Sequence, residues 1–176
     1  MTDILKSIEF EFRRYKRLAE GAIAQLDETD FGKSEGPGNS IAVLVWHISG
    51  NLKSRFTEFL RSDGEKPWRA RDEEFVARSV TRAQLLAKWE EGWSVLFAAL
   101  RDLNGDDLER TVTIRQHPLA VHEALHRSLS HAAYHVGQIV YLAKHFAGPD
   151  WNALTIPRRK SGEFNAKVAA GKASQR

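Results

Sequence analysis

The sequence predicts an all-α protein: a four-helix bundle with an irregular loop between its second and third helices and a basic C-terminal tail. Three observations carry that prediction. Four segments of roughly 20 to 30 residues repeat apolar side chains every three or four positions, the period of one helical face. Clusters of Gly, Pro, Asn and Asp separate those segments. No pair of alternating segments presents itself for a sheet. A chain of 176 residues suffices for one domain with a substantial core and is short for two. We expect residues 1–148 to form the bundle and 149–176 a partly mobile tail.

The first helix is expected from about Thr2 to Leu26, with Leu5, Ile8, Phe12, Ala19 and Ile23 on its apolar stripe. "DETDFGKSEGPGNS" then reads as a loop. Ser40 suits the N-cap of a second helix over Ile41 to Arg61, whose stripe includes Leu44, Ile48, Leu52, Phe56 and Phe59. After "SDGEKPWRARD", Thr81 and Gln84 offer a capping box for a third helix reaching the Asn104-Gly105 break. "LERTVTIRQH" alternates briefly, but one strand cannot make a sheet, so it reads as a connection. Pro118 suits the first turn of the fourth helix, which Gly148-Pro149 ends.

There are no cysteines, which excludes disulfides and thiolate chemistry supplied by the chain and leaves His, Asp and Glu as metal ligands. The N-terminus is charged and amphipathic, without a signal-peptide apolar core, and no run of about 18 apolar residues occurs. We expect a soluble cytoplasmic protein. The net charge of +3 belongs to the tail: residues 149–176 carry six Lys and Arg against two acids, or +4, leaving −1 for the rest. A nearly neutral body offers no electrostatic footprint for nucleic acid.

Five of the seven histidines lie in "HEALHRSLSHAAYHVGQIVYLAKHF". His131 and His135 sit about 80–120° to one side of the apolar stripe, and His122 and His126 roughly 60–100° to the other. The two pairs therefore cannot serve one site. His-x-x-x-His is the minimum helical chelate for a borderline divalent metal, though the spacing alone also suits structural or solvated histidines. Position favours His131 and His135, which fall mid-helix where a neighbour covers the surface. His47, midway along the second helix, could supply a third nitrogen if those helices are neighbours. It could equally be a hydrogen-bonded core histidine.

The stretches "WHISGNLKSRFTEFLRSDGEKPWRARDEEF" and "SHAAYHVGQIVYLAK" resemble the DinB-like superfamily of metal-binding four-helix bundles, also described as YfiT-like. The resemblance extends from the first helix to "IPRRKSGEFN" and is greatest to an uncharacterised bacterial branch sharing "GNLKSRF", "DGEKPWR" and "HVGQIVYLAK". It implies that His47, His131 and His135 bind a divalent metal, zinc or nickel first among the candidates. No family role attaches to His117, His122, His126 or His145. Characterised relatives include transferases of low-molecular-weight thiols and a thiol-dependent isomerase, so the resemblance implies a thiol-linked transferase acting on a small molecule.

A metal-dependent hydrolase and a non-catalytic metal-binding or interaction protein are the alternatives. Asn51 and Gln138, each about one turn beyond a histidine, are candidates to orient water or substrate, beside capping or surface roles. Glu58, Asp63 and Glu65 are plausible bases and equally plausible surface carboxylates. Arg55, Trp68 and Arg69 could frame an anion; a loop pinned by Trp68 and internal salt bridges is the favoured reading. Tyr134 and Tyr141 are expected to pack on the tail or another helix, with a partner surface as the other reading. The basic tail lacks interleaved aromatics beyond Phe164, so nucleic acid is not the expected partner. Bundle faces commonly dimerise, and a homodimer is expected.

Overall fold

Ser40 and Thr81 mark the two helix starts that the chain encodes most plainly. In the computed structural model, which describes residues 3–174, Ser40 Oγ accepts the Val43 N–H. Thr81 and Gln84 close a reciprocal capping box. The long helices are α1 (Asp3–Ile23), α2 (Ile41–Phe56), α3 (Arg82–Asp102) and α4 (Val121–Ala147). The predicted first-helix start at Thr2 lies outside the described residues. A shorter helix, α5 (Ser161–Ala169), stands in the tail and buries no residue.

α2 packs along α3 and α1 along α4, while α2 also meets α4. Twelve of the 16 residues of α2 are buried, more than one stripe supplies. The excess arises because a 3-10 turn at Asp72–Phe75 folds back onto the helix and covers its remaining side. Gly92 of α3 lets the α2 backbone come close: a Cβ there would lie 2.6 Å from Ser49 Cα. Phe12 meets Phe56 and Trp93 edge-on at 6.5 and 6.2 Å between centroids. Burying each large core side chain contributes about 1.5–3 kcal/mol.

α2 ends at Phe56 rather than the expected Arg61, because Thr57 turns extended and Glu58 takes a positive φ of 49°. Phe59 remains buried outside the helix, so its periodic position reflected packing and not helicity. The tail is tied to the end of α1, where Gln25 and Asn152 exchange hydrogen bonds of 3.1 and 2.7 Å.

The all-α expectation needs correction at "TVTIRQHPLA". Strands β1 (Thr111–Ile114) and β2 (His117–Ala120) form an antiparallel hairpin pairing Thr113 with Pro118 and Ile114 with His117. Pro118 is therefore not in the first turn of α4. Proline is tolerated in a two-stranded ribbon because both strands are edges. The two-residue turn, Arg115-Gln116, has φ of 55° and 62°, left-handed at both positions and normally the province of Asn-Gly. The Asp63 carboxylate holds it, accepting the Arg115 N–H at 2.9 Å and the Gln116 N–H at 2.7 Å. Gly64 N–H donates to Thr113 C=O at 2.8 Å, so the α2–α3 loop and the hairpin support each other. Among the described residues, no helix is long and apolar enough to cross a membrane.

Candidate metal centre

His47 lies midway along α2, and His131 and His135 project one turn apart from α4 toward it. The ligand-capable atoms of the three rings all lie within 4.8 Å of one another. His47 Nε2 stands 3.2 Å from His131 Nε2. His47 and His135 are buried and His131 is half-buried.

The far side of two rings decides which atoms face inward. His47 Nδ1 meets Glu74 Oε2 at 2.9 Å. Burial opposes ionisation of Glu74, but hydrogen bonds from His47 and Arg69 outweigh it and hold the carboxyl below its ordinary value. An ionised carboxylate only accepts, so Nδ1 of His47 donates. In the neutral ring, Nε2 then carries a lone pair toward the other histidines. His135 Nδ1 likewise donates to Gln138 Oε1 at 2.8 Å, leaving its Nε2 as acceptor. Burial chiefly, with His135, His47, Arg69 and Arg55 adding repulsion, pushes His131 down to about 3. At neutral pH it is an uncharged ligand.

This donor set suits a borderline divalent ion. Three imidazoles, two of them hydrogen-bonded through Nδ1 to outer partners, are the usual protein half of an open zinc-type site. Two nitrogens on one tetrahedral zinc stand about 3.3 Å apart, close to the His47–His131 separation. The three histidines could therefore hold a metal ion.

Glu74 enters from the 3-10 turn of the α2–α3 loop. Arg69, with only 2% of its side chain exposed, grips it through Nε at 2.8 Å and Nη2 at 2.9 Å. Gly50 makes room for it, since a Cβ there would lie 2.2 Å from Glu74 Oε1. The loop has the expected internal salt bridges, but its pin is not the expected Trp68. Trp68 is 51% exposed, with Lys53 Nζ 5.6 Å from its ring centre, and Arg69 is the anchored residue. Glu74 and Gly50 were missed. The one sequence signal for Glu74 was the density of opposite charges in "RARDEEF", which does not single out one acid.

Asn51 is buried and lines a cleft of about 180 Å³ that also reaches His47 and His131. Its side-chain amide makes no hydrogen bond to the described residues. Gln138 Oε1 faces His135 Nδ1, and the residue also lines a groove beside Tyr134 and Tyr141.

None of the three candidate bases lines the cleft beside the histidines. Glu58 is exposed, and Glu65 pairs with Arg55 at 3.1 Å and Arg115 at 3.0 Å. Burial of Asp63 opposes its ionisation, but backbone N–H groups of Glu65, Gln116 and Arg115 hold it down at about 2. Away from the site, His122 Nδ1 meets Leu108 C=O at 3.1 Å, and His117, His126 and His145 are exposed. Tyr134 and Tyr141 are each 63% exposed, so neither packs on the tail or another helix as expected.

A family model described as "Protein of unknown function (DUF1572)" matches residues 1–160. No curated protein matches the chain. The crystal structure of a conserved protein from Enterococcus faecalis is similar in fold, with a TM-score of 0.63 at 17% identity, covering 84% of this chain and 99% of that one. Neither description mentions the DinB-like superfamily or an activity.

Proposed function

The chain belongs to the DUF1572 family, and from that premise we propose that it is a DinB-like four-helix-bundle enzyme, a thiol-linked transferase with a divalent metal, zinc or nickel, on His47, His131 and His135. The observation that carries the reading is the convergence of three imidazoles, two of them hydrogen-bonded from behind through Nδ1. A divalent ion there would act as a Lewis acid that favours the thiolate of a bound thiol.

The chain's own residues supply the rest. Arg69 keeps Glu74 ionised and in place, Glu74 orients His47, and Gln138 orients His135. The Phe75 ring lies 4.7 Å from that of His47 and shields one face of it from water. Asn51, with its amide unpartnered at the cleft, would hydrogen-bond the substrate. In this reading residues 1–148 form the bundle and 149–176 an appended basic tail.

Elemental mass spectrometry on tag-free protein never exposed to nickel resin tests the centre. We expect about one metal per chain in the wild type and in His122→Ala, and little in His131→Ala. No metal in any of the three, even after reconstitution with zinc or nickel, overturns the proposal. Full metal with no thiol consumed in a screen of low-molecular-weight thiols and electrophiles would instead indicate a non-catalytic metal protein. The same reading expects a homodimer; a concentration-independent monomer mass in solution would reject that part alone.

A further inference from the structure

Beyond the histidines and Asn51, the cleft wall is dominated by Arg55, Arg69, Arg71, Arg115 and Arg127, and no carboxylate lines it. Three carboxylates reach these guanidiniums from outside. Glu74 takes Arg69, and Glu65 is shared between Arg55 and Arg115 while standing 3.9 Å from Arg69. Asp72 approaches Arg71 to 3.7 Å with its side chain fully exposed. Arg127 has no acidic partner among the described residues. Five guanidiniums against three carboxylates leave about two positive charges around one small space.

Placement within the cleft is graded. Arg55 and Arg69 are the more buried and the more fully paired, while Arg71, Arg115 and Arg127 are exposed at the mouth. Arg115 sits there by virtue of a strained turn: two non-glycine residues in left-handed conformation, held by Asp63. A hairpin needing only to reverse direction would use Asn-Gly, so the strain is tolerated for what the turn presents.

We infer that the cleft is an anion subsite, in which Arg71 and Arg127, with Arg115 beside them, take the carboxylate or phosphate of a small substrate or co-substrate. The planar guanidinium fork matches either oxyanion in bidentate fashion, and unneutralised charge in a walled cleft is offset when such a group enters. The volume, about 180 Å³, is enough for an anionic head group. That the molecule's reacting end faces the histidines rests on the metal-centre proposal; the anion subsite does not.

The test uses the full chain freed of metal with neutral phenanthroline, then dialysed. Inorganic phosphate and malonate are titrated at constant ionic strength while the arginine Nε–H resonances are followed by NMR. Saturable binding of at least one anion is expected. Arg127→Gln and Arg71→Gln should each weaken it about tenfold, and Arg101→Gln, an exposed position on α3, should leave it unchanged. Preference for phosphate over malonate, or the reverse, identifies the head group. No saturation by either anion, or affinity indifferent to both cleft variants, overturns the inference. Metal content of the same preparation, measured before stripping and after reconstitution with zinc or nickel, separates the proposals: metal bound with no anion binding sinks the subsite alone, and anion binding with no metal taken up even on reconstitution sinks the centre alone.

Discussion

Glu74 is a buried acid whose charge is useful only because it is shared. Arg69 compensates it on one side and the His47 N–H uses it on the other. In Glu74→Gln the hydrogen bond to His47 can persist, but the buried guanidinium loses its counter-ion. We expect zinc affinity, read by competition with a chromogenic chelator, to fall about 10–100-fold. Gly50→Ala should reproduce that loss without replacing any charged residue. A mid-helix Gly→Ala change ordinarily gains up to about 1 kcal/mol; here the new methyl would occupy the place of the Glu74 carboxylate. Unchanged zinc affinity in Gly50→Ala would show that this carboxylate does not support the site. The three histidines were legible because helical spacing brings His131 and His135 to one face, and because His47 stands midway along the second helix, where the resemblance also places a ligand. Glu74 and Gly50 were not, because a loop acid and a helix glycine acquire meaning only when the loop folds back.

The hairpin shows how an element escapes a reading based on periodicity. Its strands are four residues each, its turn lacks glycine, and Pro118 imitates a helix start. What stabilises it is Asp63, 52 and 53 residues away from the N–H groups it accepts. Asp63→Asn should cost about 1–2 kcal/mol at neutral pH by denaturant unfolding. The sign with pH follows from the depressed carboxyl. Between the unfolded value of 3.8 and the folded value of about 2, the unfolded chain binds more protons. This contribution is therefore complete above pH 3.8 and fades as pH falls toward 2. The gap between wild type and Asp63→Asn should narrow over that interval, and a gap independent of pH would remove Asp63 from this role. At the α2–α3 contact, Gly92→Ala drives a methyl into the Ser49 backbone and should destabilise by about 1–3 kcal/mol.

At the scale of the whole molecule, the order and approximate extent of the four long helices were readable from apolar period and caps, because each buries a face along most of its length. Which helices adjoin was not, and that adjacency brings His47 to His131. An ion bound across α2 and α4 would bind the native state in preference to the unfolded one. Zinc at one hundred times its dissociation constant would add about 2.7 kcal/mol, or roughly 5–10 °C in melting temperature for a domain of this size. A melting curve unmoved by zinc, in protein that calorimetry shows to bind it, would mean that the unfolded chain binds the ion as tightly, and would reject a site that exists only where α2 meets α4. The spacing of the partners along the chain also fixes a chronology. His47 and Glu74 are 27 residues apart, whereas His47 and His131 are 84 apart. On a ribosome adding 5–20 residues per second, His131 follows His47 by roughly 4–17 s. During that interval His47 and its acid have been synthesised, but no chelate can exist. An ion held there would be a late arrival, collected by a chain whose fourth helix has docked, so metal supply would add to the stability of a bundle already assembled without directing its assembly.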